Sequence, residues 1–201
     1  CDNLISISIP EGVTSIGVAA FEGCRSLTNI DIPESLTNIG ENAFFGCYSL
    51  ENISIPEGVT SIGEFAFSGC SSLKSINIPE SVTSFGASTF YGCSSLEPKL
   101  LVYDKGTKCY GWVGNKKKCT NVEIPDGVTS IGYAAFRGCG SLTSIKIPEG
   151  VTSIGNSAFR SCDNLTNVNI PEGVTSIGED VFSGCNSLEN ISIPEGVTSI
   201  G

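Results

Sequence analysis

Eight of the ten cysteines fall on one phase of the chain, at Cys1, Cys24, Cys47, Cys70, Cys93, Cys139, Cys162 and Cys185. Thiols in this number could ligate a metal, form disulfides or carry redox chemistry. The spacing argues for none of these. Stacked parallel strands repeat at ~4.8 Å, which holds in-register Cβ atoms farther apart than the roughly 3.8 Å a bridge needs. The ladder therefore reads as buried, reduced thiols acting as small hydrophobes. A second ladder of Glu11, Glu34, Glu57, Glu80, Asp126, Glu149, Glu172 and Glu195 could in principle bind a hard cation. Each repeat supplies only one of these acids, in a turn open to water, so no metal and no cofactor is expected. Catalysis has little to work with. The chain has no histidine, no glycine-rich phosphate loop before a helix, and no Ser, Cys or Glu whose neighbours break the periodic pattern. The expectation is that this is not an enzyme.

Both ladders follow from one unit of 23 residues, readable as C-x-x-L-x-x-I-x-I-P-[ED]-x-V-T-x-I-G-x-x-A-F-x-G. The Ile-Pro pair begins at Ile9, Ile32, Ile55, Ile78, Ile124, Ile147, Ile170 and Ile193, at intervals of 23 or twice that. A period of this length means a solenoid whose repeats bury their apolar faces against their neighbours. The chain opens inside one unit at Cys1 and stops inside another at Gly201, which reads as an excerpt of a longer array. The expected organisation is repeats over 1–97, an atypical in-phase unit over 98–118 and repeats over 119–201, in one continuous solenoid.

Within a unit, Leu27-Thr28-Asn29-Ile30-Asp31-Ile32-Pro33 alternates apolar and polar residues as a half-buried strand does, and the proline ends it. After a turn, Leu36-Thr37-Asn38-Ile39 or Val59-Thr60-Ser61-Ile62 predicts a short second strand. Glycine closes it at Gly17, Gly40, Gly63, Gly86, Gly132, Gly155, Gly178 and Gly201, where a positive φ is expected. The segment after it, such as Glu64-Phe65-Ala66-Phe67, is expected to form a helical turn. Phe21, Phe44, Phe67, Phe90, Phe136, Phe159 and Phe182 share a phase and should stack as a spine. Ser49 to Gly63 and Ser187 to Gly201 are the same fifteen residues, which points to recent duplication.

This pattern resembles the leucine-rich repeats of the BspA-like, or Treponema pallidum, type, and the match covers nearly all of the chain. The resemblance implies a mainly β, or α+β, leucine-rich-repeat solenoid: an arc with a concave parallel sheet, short second strands and helical turns on the other side. It also implies a surface or secreted protein for which adhesion is the common role. Localisation rests on the resemblance alone.

Strand alternation turns two residues per repeat outward. They form one column of Ser6, Asn29, Asn52, Ser75, Asn121, Ser144, Asn167 and Asn190, and another of Ser8, Asp31, Ser54, Asn77, Glu123, Lys146, Asn169 and Ser192. This face suits an extended extracellular or host protein, or a glycan, although it has few of the aromatic anchors that dominate tight interfaces. The formal charge of −10 argues against nucleic acid. One island departs from it, since six of the eleven Lys and Arg lie between Lys99 and Lys118. There Leu101-Val102 stand in for Ile-Pro, Cys109 for the closing glycine and Cys119 for the in-phase leucine, and a Lys105-Gly106 turn between alternating runs predicts a β-hairpin. BspA-like proteins often carry a similar unit. Tyr103, Tyr110, the sole tryptophan Trp112 and Lys116, Lys117 and Lys118 gather here as contact candidates beside Asn29, Asp31, Asn52, Ser75, Asn77, Asn121, Glu123, Lys146, Asn167 and Asn169. The competing reading has Trp112 and Val113 covering the core and the lysines simply solvated. A non-catalytic binding module leads. A spacer or filament unit that self-associates through its repeat ends is the alternative, and glycan recognition is third.

Overall fold

The computed structural model describes all of residues 1–201, which form two compact units, Cys1–Glu97 and Pro98–Gly201. In the first unit each repeat contributes a three-residue and a two-residue strand. The first strands are β1 (Ser6–Ser8), β3 (Asn29–Asp31), β5 (Asn52–Ser54) and β7 (Ser75–Asn77), and they pair in parallel as β1 with β3 and β5 with β7. The second strands, β2 (Ser15–Ile16), β4 (Asn38–Ile39), β6 (Ser61–Ile62) and β8 (Ser84–Phe85), form one parallel sheet in chain order. Every pairing joins residues 23 apart, such as Ile30 with Ile7 and Ile62 with Ile39.

The second unit repeats this plan after a hairpin of β9 (Lys99–Tyr103) and β10 (Lys108–Val113). Its first strands β11 (Asn121–Glu123), β13 (Ser144–Lys146), β15 (Asn167–Asn169) and β17 (Asn190–Ser192) form one parallel sheet. Its second strands β12 (Ser130–Ile131), β14 (Ser153–Ile154), β16 (Ser176–Ile177) and β18 (Ser199–Ile200) form another, extended by β10 and then β9. The core between the ladders is the Cys, Leu, Ile, Val, Ala and Phe of the repeat: Cys70, Leu73, Val59, Ile62, Ala66 and Phe67 are all buried.

The helical turn is not there. The protein is essentially all β and turn, with a single 3-10 turn at Lys116–Lys118. Two residues after each closing glycine, a residue that is not glycine sits in the left-handed region: Ala19, Asn42, Phe65, Ser88, Ala134, Ser157 and Asp180 all have φ between 51° and 58°. That breaks any α-helical run. Backbone donors then alternate: Asn42, Phe44 and Gly46 donate to Glu64, Ala66 and Ser68 of the next repeat at 2.8–2.9 Å, while Ala43, Phe45 and Cys47 close turns onto Gly40, Asn42 and Phe44. The segment is thus a third inter-repeat ladder, and its hydrogen bonds bind repeat to repeat where a helix would spend them internally.

The closing glycines also differ from expectation. None of them has a positive φ. At most of them a side chain is excluded by the backbone of the preceding repeat: an added Cβ at Gly40 would lie 2.7 Å from the Gly17 carbonyl carbon, and one at Gly155 2.8 Å from that of Gly132, while one at Gly17 would meet nothing.

The phenylalanines stack as expected, with ring centroids 5.4, 5.3 and 5.8 Å apart along Phe21, Phe44, Phe67 and Phe90, and 5.4 and 5.7 Å along Phe136, Phe159 and Phe182. All ten cysteines are free, and the ladder has a polar purpose besides packing. The Cys47, Cys70, Cys93, Cys162 and Cys185 thiols each donate to the phenylalanine carbonyl of the preceding repeat, at 3.1–3.2 Å. Burial is the main force on these groups. It pushes Cys47, Cys93 and Cys109 up to about 12 and raises Cys70 and Cys162 as well.

A thiol whose pKa is higher folded than unfolded keeps its proton preferentially in the native state. Stability is therefore fully present below the unfolded value of 9.0 and is lost as pH rises from there towards 12. Urea midpoints measured between pH 8 and 11 should fall across that interval. In native protein at pH 8 only Cys1, the exposed thiol, should react quickly with maleimide; fast labelling of Cys70 or Cys162 would refute the buried ladder.

Candidate functional site

In the first unit the outward columns run Ser6, Asn29, Asn52, Ser75 and Ser8, Asp31, Ser54, Asn77, and every one of these residues is exposed while the central isoleucine of β3, β5 and β7 is buried. Asn29 Nδ2 donates to Asp31 Oδ1 at 3.4 Å. Lys74 and Glu51, one position ahead of this face, pair at 2.5 Å.

In the second unit Asn121, Asn167 and Asn190 are exposed in one column and Glu123, Lys146 and Asn169 in the other. Asn121 Oδ1 accepts from Ser144 Oγ at 2.7 Å and from Thr143 Oγ1 at 3.0 Å. Lys146 forms an ion pair with Glu123, whose carboxylate hydrogen bond holds the ammonium above its ordinary pKa. The two charges offset each other, leaving a face of amides and hydroxyls able to donate and accept with little net field.

The hairpin belongs to a different sheet. β10 lies against β12 in parallel, with Lys108 opposite Ser130 and Cys109 opposite Ile131. Cys109 therefore fills the buried isoleucine slot, one residue out of the 23-residue phase, and does not replace the closing glycine as the sequence suggested. The in-phase register would bury Lys108 and expose Cys109 at the glycine slot. A one-residue slip exchanges the faces of a strand; in its pairing with β9, β10 also bulges between Cys109 and Gly111.

Trp112 is half-buried and packs on the core of its unit with Leu100 and Val102. Its Nε1 donates to the Asn115 carbonyl at 3.3 Å. It is a cover for the core more than an exposed anchor. Cys119 occupies the leucine slot and is buried, its pKa raised by a hydrogen bond with the Cys139 thiol and by burial. Tyr103 is half-buried, with Lys108 Nζ 5.7 Å from its ring centre and Asp104 bonded to the same ammonium at 2.9 Å. Tyr110 is half-buried too. Asn115 Oδ1 accepts from the Lys117 backbone amide at 3.0 Å, Lys116 reaches the Arg137 carbonyl, and Lys117 and Lys118 are exposed. The structure thus separates candidates that the sequence grouped: the Asn-rich columns line the first-strand ladders, while Tyr103, Tyr110 and Trp112 sit in the second-strand sheet.

Exposed aromatic rings are not confined to the hairpin, where the sequence gathered its aromatic contact candidates. Tyr48, Tyr91 and Tyr133 are 47%, 71% and 50% exposed, and Phe45 and Phe65 also reach the surface. All five lie on the turn segments. The signal was available, because these rings interrupt slots that other repeats fill with small or charged residues. No group of three or more His, Cys, Asp or Glu is placed to hold a metal ion, and no helix is long and apolar enough to cross a membrane.

A family model described as the BspA type leucine-rich repeat region matches residues 1–104 and 113–201 in six copies, leaving out most of β10. The chain belongs to the BspA-type leucine-rich repeat family. Among solved structures, this BspA-type chain is similar to the leucine-rich repeat protein of T. pallidum, at 33% identity over 92% of this chain and 78% of that one, with a TM-score of 0.57. A leucine-rich repeat protein from Eubacterium ventriosum is 25% identical over 94% of this chain and 59% of its own, with a TM-score of 0.66. A leucine-rich cell surface protein from Faecalibacterium prausnitzii is 27% identical over 98% and 69%, with a TM-score of 0.53. No curated protein matches.

Proposed function

We propose that this BspA-type chain is a non-catalytic protein-binding module of a cell-surface or secreted protein, and that it meets an extracellular protein through the polar columns of its first strands. The observation that carries this reading is the alternation itself: strand after strand buries its central aliphatic residue and presents two exposed polar ones, small except for the paired Glu123 and Lys146. Such a row offers many weak hydrogen bonds spread along an extended partner. The likeness to a protein described as a leucine-rich cell surface protein supports the location. The absence of histidine and the protonated, buried thiols support a role without catalysis.

The test is a binding panel of extracellular-matrix and cell-surface proteins, read by biolayer interferometry. A protein captured by the chain should lose at least tenfold in affinity to the variant Asn52→Arg/Asn77→Arg or to Asn121→Arg/Asn167→Arg, and the fold should persist, because these positions are exposed. A panel without a binder, together with concentration-dependent assembly in sedimentation, would replace this reading with a structural spacer, which the fifteen-residue identity between repeats favours.

A further inference from the structure

The turn ladder of the first unit carries features that the first-strand face lacks. Phe45, Ser68 and Tyr91 fill one slot in three successive repeats, tied by Gly46 N–H to the Ser68 carbonyl at 2.8 Å and Gly69 N–H to the Tyr91 carbonyl at 2.7 Å. The outer two rings are exposed, and Ser68 between them is buried. Two aromatic walls thus flank a small floor. Beside it, the Tyr48 ring lies over Gly46 and Gly69, within 3.8 Å of where their side chains would begin. The Arg25 guanidinium sits 6.0 Å from the centre of the same ring.

The surroundings are acidic. Residues 1–97 hold eleven Asp and Glu against two cations, Arg25 and Lys74, so this unit carries −9 of the chain's −10. Lys74 is already paired to Glu51. Glu22, in the same slot one repeat before Phe45, and Glu41 and Glu64, which follow the closing glycines, are all exposed.

We propose that this aromatic trough binds a basic, proline-rich segment of another protein in the polyproline II conformation. Rings preorganised on a rigid ladder are the usual platform for proline faces. A polyproline II helix brings a residue back to the same edge after about 9.3 Å, three residues at ~3.1 Å each. The two rings stand two repeats apart, about 11 Å by the steps of 5.3 and 5.8 Å in the adjoining phenylalanine spine, and rotamer choice at two exposed side chains takes up the difference. An α-helix, about 10–12 Å across with its side chains, is too wide to reach the Ser68 floor between the rings. The unit's acidic charge selects Lys or Arg between the prolines, and the attraction weakens with salt.

The repeats themselves supply substitutions compatible with the fold, since serine occupies the slot of Phe45 and Tyr91 at Ser68, and that of Tyr48 at Ser71 and Ser94. Fluorescein-labelled nonapeptides of Pro-Pro-Arg, Pro-Pro-Glu and Gly-Ser-Arg repeats would be titrated against the chain by polarisation. The Pro-Pro-Arg peptide should bind at least tenfold more tightly than either control. Phe45→Ser/Tyr91→Ser should abolish that advantage, and Glu41→Gln/Glu64→Gln should reduce it several-fold while leaving circular dichroism unchanged. Equal binding of the proline-free basic peptide, or an unaffected Phe45→Ser/Tyr91→Ser variant, would overturn the proposal. The first-strand variants above leave this trough intact, so the two surfaces can fail separately.

Discussion

Replacing Phe67 with alanine is expected to destabilise the protein by about 3–5 kcal/mol, the range for deleting a fully buried aromatic ring. Phe67 has no exposed surface and stands between Phe44 at 5.3 Å and Phe90 at 5.8 Å, nearly parallel to both. Its loss removes two stacking contacts as well as the buried area, and the ladder cannot collapse to fill the gap. Three hydrogen bonds per repeat step fix the spacing of this segment, among them Phe44 N–H to the Ala66 carbonyl at 2.8 Å and Phe67 N–H to the Thr89 carbonyl at 3.0 Å.

Because repeats couple only to their neighbours, the damage should be local first and cooperative second. Amide exchange should accelerate most in the turn segments of residues 40–47 and 86–93, and less in the first repeat. Phe21→Ala provides the comparison, since Phe21 is partly exposed and stacks on one ring only; its cost should be clearly smaller. Equal urea midpoints for the two variants would mean that the spine does not carry the stability assigned to it.

Much of this architecture is legible in the sequence, for a physical reason. A strict 23-residue period leaves each apolar residue only its own counterparts to pack on, so Ile30 with Ile7 and Ile62 with Ile39 follow from phase alone. What the period conceals is how a residue satisfies its slot. Gly40, Gly63, Gly86 and Gly155 are glycine where backbones touch, not where φ is positive, and composition cannot separate the two. The left-handed residue is Ala, Asn, Phe, Ser or Asp at φ of 51–58°, with no residue type to announce it. Its conformation is held by the inter-repeat hydrogen bonds on either side.

The candidate surfaces show the same division. The outward Asn and Ser columns were readable from alternation. The exposure of Tyr91 was readable too, from the Glu, Ser and Arg that share its slot in other repeats, whereas the half-burial of Trp112 was not, because it depends on a hairpin register that the phase does not set. Cys109 shows the limit most clearly: counted by phase it replaces a glycine, whereas burial energy places it opposite Ile131.

Gly111 follows Cys109 across the bulge, and replacing it with alanine is the sharpest test of how the hairpin is held. Gly111 has φ of +119°, outside what a residue with a side chain adopts comfortably, and an added Cβ would fall on the backbone of Ala135. Next to it, Trp112 N–H donates to the Ala135 carbonyl at 2.8 Å, so backbone has to approach backbone at this point for the hairpin to stay joined to the turn ladder. Backbone strain of about 1–3 kcal/mol and overpacking of about 1–3 kcal/mol combine to an expected loss of about 2–6 kcal/mol. The relief available is for β10 to lift from β12. That would unseat Cys109 and Trp112 from the core of their unit and open Cys119 to solvent.

Maleimide labelling followed by mass spectrometry reads this directly. In Gly111→Ala, Cys109 and Cys119 should react at least tenfold faster than in the parent protein, while Cys162, two repeats farther along the ladder, keeps its slow rate. Unchanged rates at Cys109 and Cys119 would show that the hairpin is anchored by something other than the close approach of Gly111 to Ala135.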